Sequence, residues 1–195
     1  MLKYKKYLFL FIIVPLSLLS CKNINAESIE LNPISNIKKN YTYIEKNLYK
    51  FTQLKYKDIG LYKNIDKTYS IEAEELTQVA LINMFKYYQK NLIQKIVLNF
   101  DTPLINATSN YYYKDNKLFF VHKIIYEFKE FKYSNNFDKK EYSKYEHRFY
   151  FHKNKMIKWI KNKQEVNPAS KEWQEQANKI THDSNVYLHF KTRLK

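Results

Sequence analysis

Tyr111-Tyr-Tyr-Lys-Asp-Asn-Lys-Leu-Phe-Phe-Val121 decides the fold, because two runs of aromatic and branched residues meet there at a short polar interruption ending in asparagine. Aromatic and β-branched residues suit a pleated, half-buried surface, and asparagine tolerates the left-handed conformation that tight hairpin turns demand. The stretch therefore predicts a β-hairpin. Its pattern is an aromatic, two polar residues, an asparagine, one further residue and an aliphatic. That pattern occurs three times, at Tyr88-Gln-Lys-Asn91-Leu-Ile93, Tyr113-Lys-Asp-Asn116-Lys-Leu118 and Phe151-His-Lys-Asn154-Lys-Met156. Three hairpins of one meander are expected.

Further strands are expected at Phe51 to Tyr56, Thr68 to Ala73, Lys95 to Phe100 and Ile124 to Lys132, with a polar loop over Tyr133 to Lys140. Glu74 to Lys86 reads either as strand or as helix, since Glu75, Leu76, Ala80 and Met84 are good helix formers. Two helices flank these runs. Ile37, Tyr41, Ile44 and Leu48 form one apolar stripe, predicting a helix from Asn36 to about Lys50 behind an N-cap at Ser35. Asn167-Pro168 offers an N-cap followed by proline, and Trp173, Ala177, Ile180 and Ser184 share a side, predicting a second helix to about Asp183. The expected class is α+β: an antiparallel β-meander with the N-terminal and C-terminal helices packed on one face.

At the N-terminus, Met1 to Lys6 is basic and Tyr7 to Leu19 is an apolar run, short for a bilayer span but long enough for a signal-peptide core. Leu18-Leu19-Ser20-Cys21 follows and contains the only cysteine. This layout resembles the lipobox of bacterial lipoproteins, which implies lipidation of Cys21 and removal of residues 1–20. It also implies a tether over residues 21–34, a single domain over 35–195, and attachment to a membrane outside the cytoplasm through that lipid. Lys22 is not the aspartate that retains some lipoproteins at the inner membrane, so the resemblance implies the outer membrane where a bacterium has one.

Composition narrows the function. Gly60 is the only glycine, and no Walker loop, dinucleotide fingerprint or nucleophile elbow can be written with one. With Cys21 lipidated, no thiol remains for a disulfide, a zinc cluster or a cysteine nucleophile. Without the signal lysines Lys3, Lys5 and Lys6, the chain carries 31 basic and 19 acidic residues, but only Arg148 and Arg193 are arginine. Nucleic-acid sites favour arginine, and the Lys, Asn, Ile, Tyr and Phe excess matches AT-rich codons, so nucleic acid is not an expected partner.

The histidines His122, His147, His152, His182 and His189 match no zinc spacing, and His147 and His152 stand an odd number apart on one strand. His182-Asp183-Ser184 has the residue types of a triad but sits too close in sequence to form one, and reads better as a helix end. Glu74-Glu75 diverge if on a strand, and Asp101-Thr-Pro103 reads as a turn. No catalytic residue, metal ligand or cofactor is assigned.

Alternation within Tyr111, Tyr112, Tyr113, Phe119 and Phe120 sends neighbours to opposite faces. The face away from the helices then presents aromatic rings outward. Tyr111, Tyr112, Tyr113, Phe119 and Tyr150 are accordingly the candidate binding surface, for an envelope protein, peptide or polymer. An alternative is a carrier or sensor of an apolar ligand in a pocket between sheet and helices, and a third reading is an envelope hydrolase. Tyr111 to Val121, His147-Arg-Phe-Tyr-Phe-His-Lys-Asn-Lys-Met-Ile-Lys-Trp159 and a closing helix resemble a group of uncharacterised bacterial exported proteins over roughly Ser35 to Leu188. Those proteins usually carry glycine where Asn116 and Asn154 stand. The resemblance implies the fold and no activity.

Overall fold

The structure, a computed structural model, describes residues 32–56, 81–130 and 141–190. Eight strands pair in the order in which they occur along the chain. They are β1 (Thr52–Tyr56), β2 (Leu81–Gln89), β3 (Leu92–Asp101), β4 (Ile105–Lys114), β5 (Lys117–Phe128), β6 (Tyr142–His152), β7 (Lys155–Lys161) and β8 (Gln164–Glu165). All pairings are antiparallel. With helices α1 (Pro33–Asn47) and α2 (Lys171–His189), this is the expected α+β meander. Residues 81–86 of the ambiguous Glu74 to Lys86 segment are strand. The rest of that segment, Gly60, the expected strand Thr68 to Ala73 and the loop Tyr133 to Lys140 lie outside the described residues.

Each recurring unit closes a hairpin in the same way. Lys90-Asn91, Asp115-Asn116 and Lys153-Asn154 all have positive φ, between 48° and 64°. Two consecutive residues at positive φ are what a type I′ turn requires, and its twist matches that of the strands. Every turn is followed by a register shift in which the outgoing strand carries one extra residue: Gln94, Phe119 and Ile157. The bulge is thus part of the repeat. A fourth turn of this kind, Asn162-Lys163 with φ 48° and 71°, joins β7 to β8; there the asparagine comes first rather than second. At the β3–β4 connection, the Thr102 backbone N–H donates to the Ile105 carbonyl at 2.8 Å, the turn expected after Asp101.

The helix caps differ from expectation at both ends. Asn32, not Ser35, caps α1: its side chain accepts from the Ile34 N–H at 3.0 Å, and Pro33 takes the first helical position. Helix α1 thus begins inside the stretch expected to be tether, and a 3-10 turn (Leu48–Lys50) continues it. Ser170 caps α2 by accepting from the Trp173 N–H at 3.2 Å, while Asn167-Pro168 forms the preceding turn through Asn167 Oδ1 and the Ala169 N–H. A hydroxyl three residues before the first buried residue outcompetes the Asn-Pro pair. Helix α2 runs on past Asp183 to His189, since Tyr187 extends its buried stripe. No described helix is long and apolar enough to cross a membrane.

The two helices cover opposite faces of the sheet, which corrects the expected packing on one face. Pairing register gives the row Lys86, Ile96, Tyr111, Val121, Phe149 and Trp159, one residue from each of β2 to β7. All six are buried, the five hydrophobic ones in one core with Trp173, Ile180 and Tyr187 of α2. The adjacent row contains Tyr112, Phe120 and Tyr150, which share the other core with Ile37 and Ile44 of α1. The physical reason is in the composition. Strands with apolar residues on both sides lose less to water when both sides are covered, so consecutive Tyr111, Tyr112 and Tyr113 require two layers.

Buried lysines tie the helices down. Lys86 Nζ donates to the carbonyls of Leu188 (3.2 Å) and Phe190 (2.7 Å), supplying positive charge where the end of α2 leaves carbonyls without helical partners. Lys95 Nζ lies 2.8 Å from Glu45 Oε1 of α1 and 5.1 Å from the centre of the Tyr112 ring.

Candidate ligand-binding groove

Tyr111, Tyr112, Tyr113, Phe119 and Tyr150, the residues expected to form an open aromatic surface, are 0–7 % exposed. Tyr111 and Tyr113 face α2, while Tyr112, Phe119 and Tyr150 face α1. The Tyr113 hydroxyl donates to the Ser184 carbonyl (3.4 Å) and accepts from Ser184 Oγ (3.1 Å). They form the interior, because the face expected to be bare carries α1 instead.

Between α2 and the sheet lies a cluster of ionisable groups. Lys123 of β5 is buried with its Nζ 6.0 Å from the ring centre of Tyr111 and 5.9 Å from that of Phe149. Burial lowers its pKa, and the Asp183 carboxylate acts in the opposite sense. Burial also raises Asp183, against the pull of Lys123 and Lys179, and lowers Lys179 to about 8. Asp183 therefore interacts with Lys123 of the sheet and Lys179 of α2, His182 is exposed and Ser184 is engaged with Tyr113, so the three triad-type residues do not converge. On β6, His147 belongs to the α2 side, stacked on Phe149 and Trp159 at 5.8 Å each, and strand alternation puts His152 on the other. Among the described residues no group of three His, Cys, Asp or Glu side chains could hold a metal ion.

His147 accepts from Trp159 Nε1 through Nδ1 at 3.3 Å, and burial, reinforced by Lys123 and Lys161, depresses its pKa from 6.5 to about 4. Between those values the unfolded chain binds a proton that the folded chain refuses, so stability falls as the pH drops from 6.5 towards 4. With allowance for the ring's partial contact with solvent, the expected loss is about 2 kcal/mol. His147→Gln keeps an acceptor for Trp159 and removes the titration. Urea unfolding of this variant between pH 6.5 and 4.5 should show a slope flatter by that amount, and an unchanged slope would assign the acid sensitivity elsewhere.

On the α1 side the helix covers the row of Tyr112, Phe120 and Tyr150 but leaves a groove of about 260 Å³ along its flank. The floor is aromatic: Phe120 and Tyr150 have ring centres 5.0 Å apart, and Tyr41 stands edge-on to Phe120 at 5.3 Å. Ile37 and Tyr41 form the helical wall, with Lys38 at its rim. The next row of the sheet pairs His122 of β5 with Arg148 of β6, and both line the groove.

These polar groups are held by Glu146, whose Oε1 accepts from Arg148 Nε (2.8 Å) and Nη2 (2.6 Å) and lies 2.9 Å from His122 Nε2. Burial alone would raise the Glu146 pKa, but the hydrogen bonds from Arg148 and His122 outweigh it and the net direction is down. An ionised carboxylate only accepts, so the proton of a neutral His122 sits on Nε2. Asn162 in the fourth turn fixes the Glu146 backbone, accepting from its N–H through Oδ1 and donating to its carbonyl, both at 2.8 Å. His122 also stacks on Phe120 at 6.4 Å with 20° between the planes. A second hollow, about 320 Å³, lies by Tyr43 and the Lys90-Asn91 and Asp115-Asn116 turns, and its lining includes the half-buried amides Asn40, Gln89 and Gln94 and the exposed Lys90 and Lys114.

Sequence reading did not select Lys38, His122, Glu146 or Arg148 as a group, because three elements contribute them and only strand register brings them together. The odd arginine in a lysine-rich chain was the one available signal, since bidentate geometry suits guanidinium and not ammonium. Among the described residues no serine, threonine or cysteine lines the groove, so these residues provide an apolar seat with cationic donors. No protein-family model, curated protein or solved structure matches this chain.

Proposed function

We propose that this chain is a non-enzymatic binding protein, anchored outside the cytoplasm by lipid on Cys21, whose ligand occupies the groove between α1 and the sheet. The observation that carries the reading is the combination of the aromatic floor Phe120 and Tyr150 with the polar pair His122 and Arg148 in the next row of the sheet, the usual composition of small-molecule sites. A volume of about 260 Å³ lies just under the roughly 300–1,000 Å³ of drug-sized sites, so the ligand is small. Recognition through a bare aromatic sheet face is disfavoured, because both faces are covered. The signal-like N-terminus and its lipobox support the location. An envelope protein or polymer as a further partner would have to use edges and helix surfaces.

Naphthalene-1-methanol is a suitable neutral probe. Titrated into full-length chain held in lipid nanodiscs and labelled at isoleucine methyl groups, it should shift Ile37 saturably and leave Ile180, on the α2 side, unmoved. A linear, unsaturable response at Ile37, or equal shifts at both, would remove the groove as a binding site.

A further inference from the structure

We infer that the groove selects a small hydrophobic carboxylate, an aryl or short alkyl acid, an inference that rests on the groove being the binding site. Charge and donor inventory point there. Lys38, Arg148 and His122 line the groove, while Glu146, beside it, is the carboxylate that pairs with Arg148 and His122. One oxygen of Glu146 takes both arginine contacts and the histidine contact, so that acid satisfies only one edge of the guanidinium. Arginine has five N–H donors, and two of them are used on Glu146. Among the described residues Arg148 has no other acceptor, and Lys38 has no acidic partner. Cationic donors therefore outnumber carboxylates around an apolar seat.

That asymmetry distinguishes ligand classes. A neutral hydrocarbon would leave the donors to water and gain only from the floor formed by Phe120, Tyr150 and Ile37. A bare phosphate would forgo the aromatic floor. A carboxylate on an apolar body uses both ends, and a guanidinium edge matches a carboxylate's two oxygens. The Arg148 side chain is 45 % exposed, so a ligand can reach its guanidinium.

The test uses 1-naphthoate and its neutral counterpart naphthalene-1-methanol, titrated calorimetrically into full-length chain in nanodiscs, with empty discs subtracted. Naphthoate is expected to bind at least tenfold tighter than the alcohol, the scale of one charge-assisted hydrogen-bonded contact. Arg148→Gln should remove most of that advantage by weakening naphthoate more than the alcohol, and Lys38→Gln should remove a smaller part, since its ammonium is a single exposed point charge. Equal affinity for acid and alcohol in the unaltered chain would overturn the carboxylate assignment and leave the groove standing. So would an Arg148→Gln effect of the same size on both probes. Binding of neither probe would remove the groove itself.

Discussion

Trp159→Ala is expected to destabilise the fold by about 3–5 kcal/mol, the range for emptying a fully buried indole site. Trp159 is 1 % exposed in the centre of the α2-side core, 5.2 Å from the Phe149 ring and 6.4 Å from that of Trp173. Its loss removes ring stacking, opens a cavity between β7 and α2, and strands His147 without its indole donor. For a domain of this size each kcal/mol shifts the melting point by roughly 2–4 °C, so a fall of about 10 °C is expected by far-UV circular dichroism. Ile157 sits two residues away and is 38 % exposed, and Ile157→Ala should stay within about 0.5 kcal/mol of the parent. A Trp159→Ala melting point within about 2 °C of the parent would contradict the assignment of α2 to this face.

The second large effect is expected at Cys21, where serine should abolish incorporation of labelled palmitate. Each buried methylene contributes about 0.8 kcal/mol of membrane affinity, so two long acyl chains hold the chain durably where one would not. Serine offers no sulfur for the thioether, and the signal that precedes it should stay attached. The variant polypeptide should then be heavier by the mass of residues 1–20 when the lipid is discounted. Palmitate label persisting in Cys21→Ser, or absent from the parent, would remove the anchor from the proposed function.

The hairpins were legible because the turn chemistry is local. Lys90-Asn91, Asp115-Asn116 and Lys153-Asn154 interrupt strong strand formers, and asparagine at positive φ does what glycine does elsewhere. The fourth turn escaped because its asparagine precedes the lysine. Helix existence was also legible from the spacing of Ile37, Tyr41 and Ile44 and of Trp173, Ile180 and Ser184, whereas the caps were not, since Asn32, Ser35, Asn167 and Ser170 are all good cap residues. Which face each helix takes depends on register. The clue was present in Tyr111, Tyr112 and Tyr113: three consecutive large apolar side chains leave no face for water. The groove was illegible for a different reason. Lys38, His122, Glu146 and Arg148 span more than a hundred positions, and no local rule couples them.

Because every described strand bonds only to described strands next to it in chain order, each tight-turn hairpin can zip as soon as its own turn forms, without waiting for distant segments. The helices are different: Lys86 meets the Phe190 carbonyl across 104 residues, Tyr113 meets Ser184 across 71, and Lys95 meets Glu45 across 50. Ring closures that long belong to the final stage of folding. A nascent meander would therefore spend its early life with greasy surfaces uncovered on both sides, and the time it takes α1 and α2 to dock sets how long it is at risk of self-association.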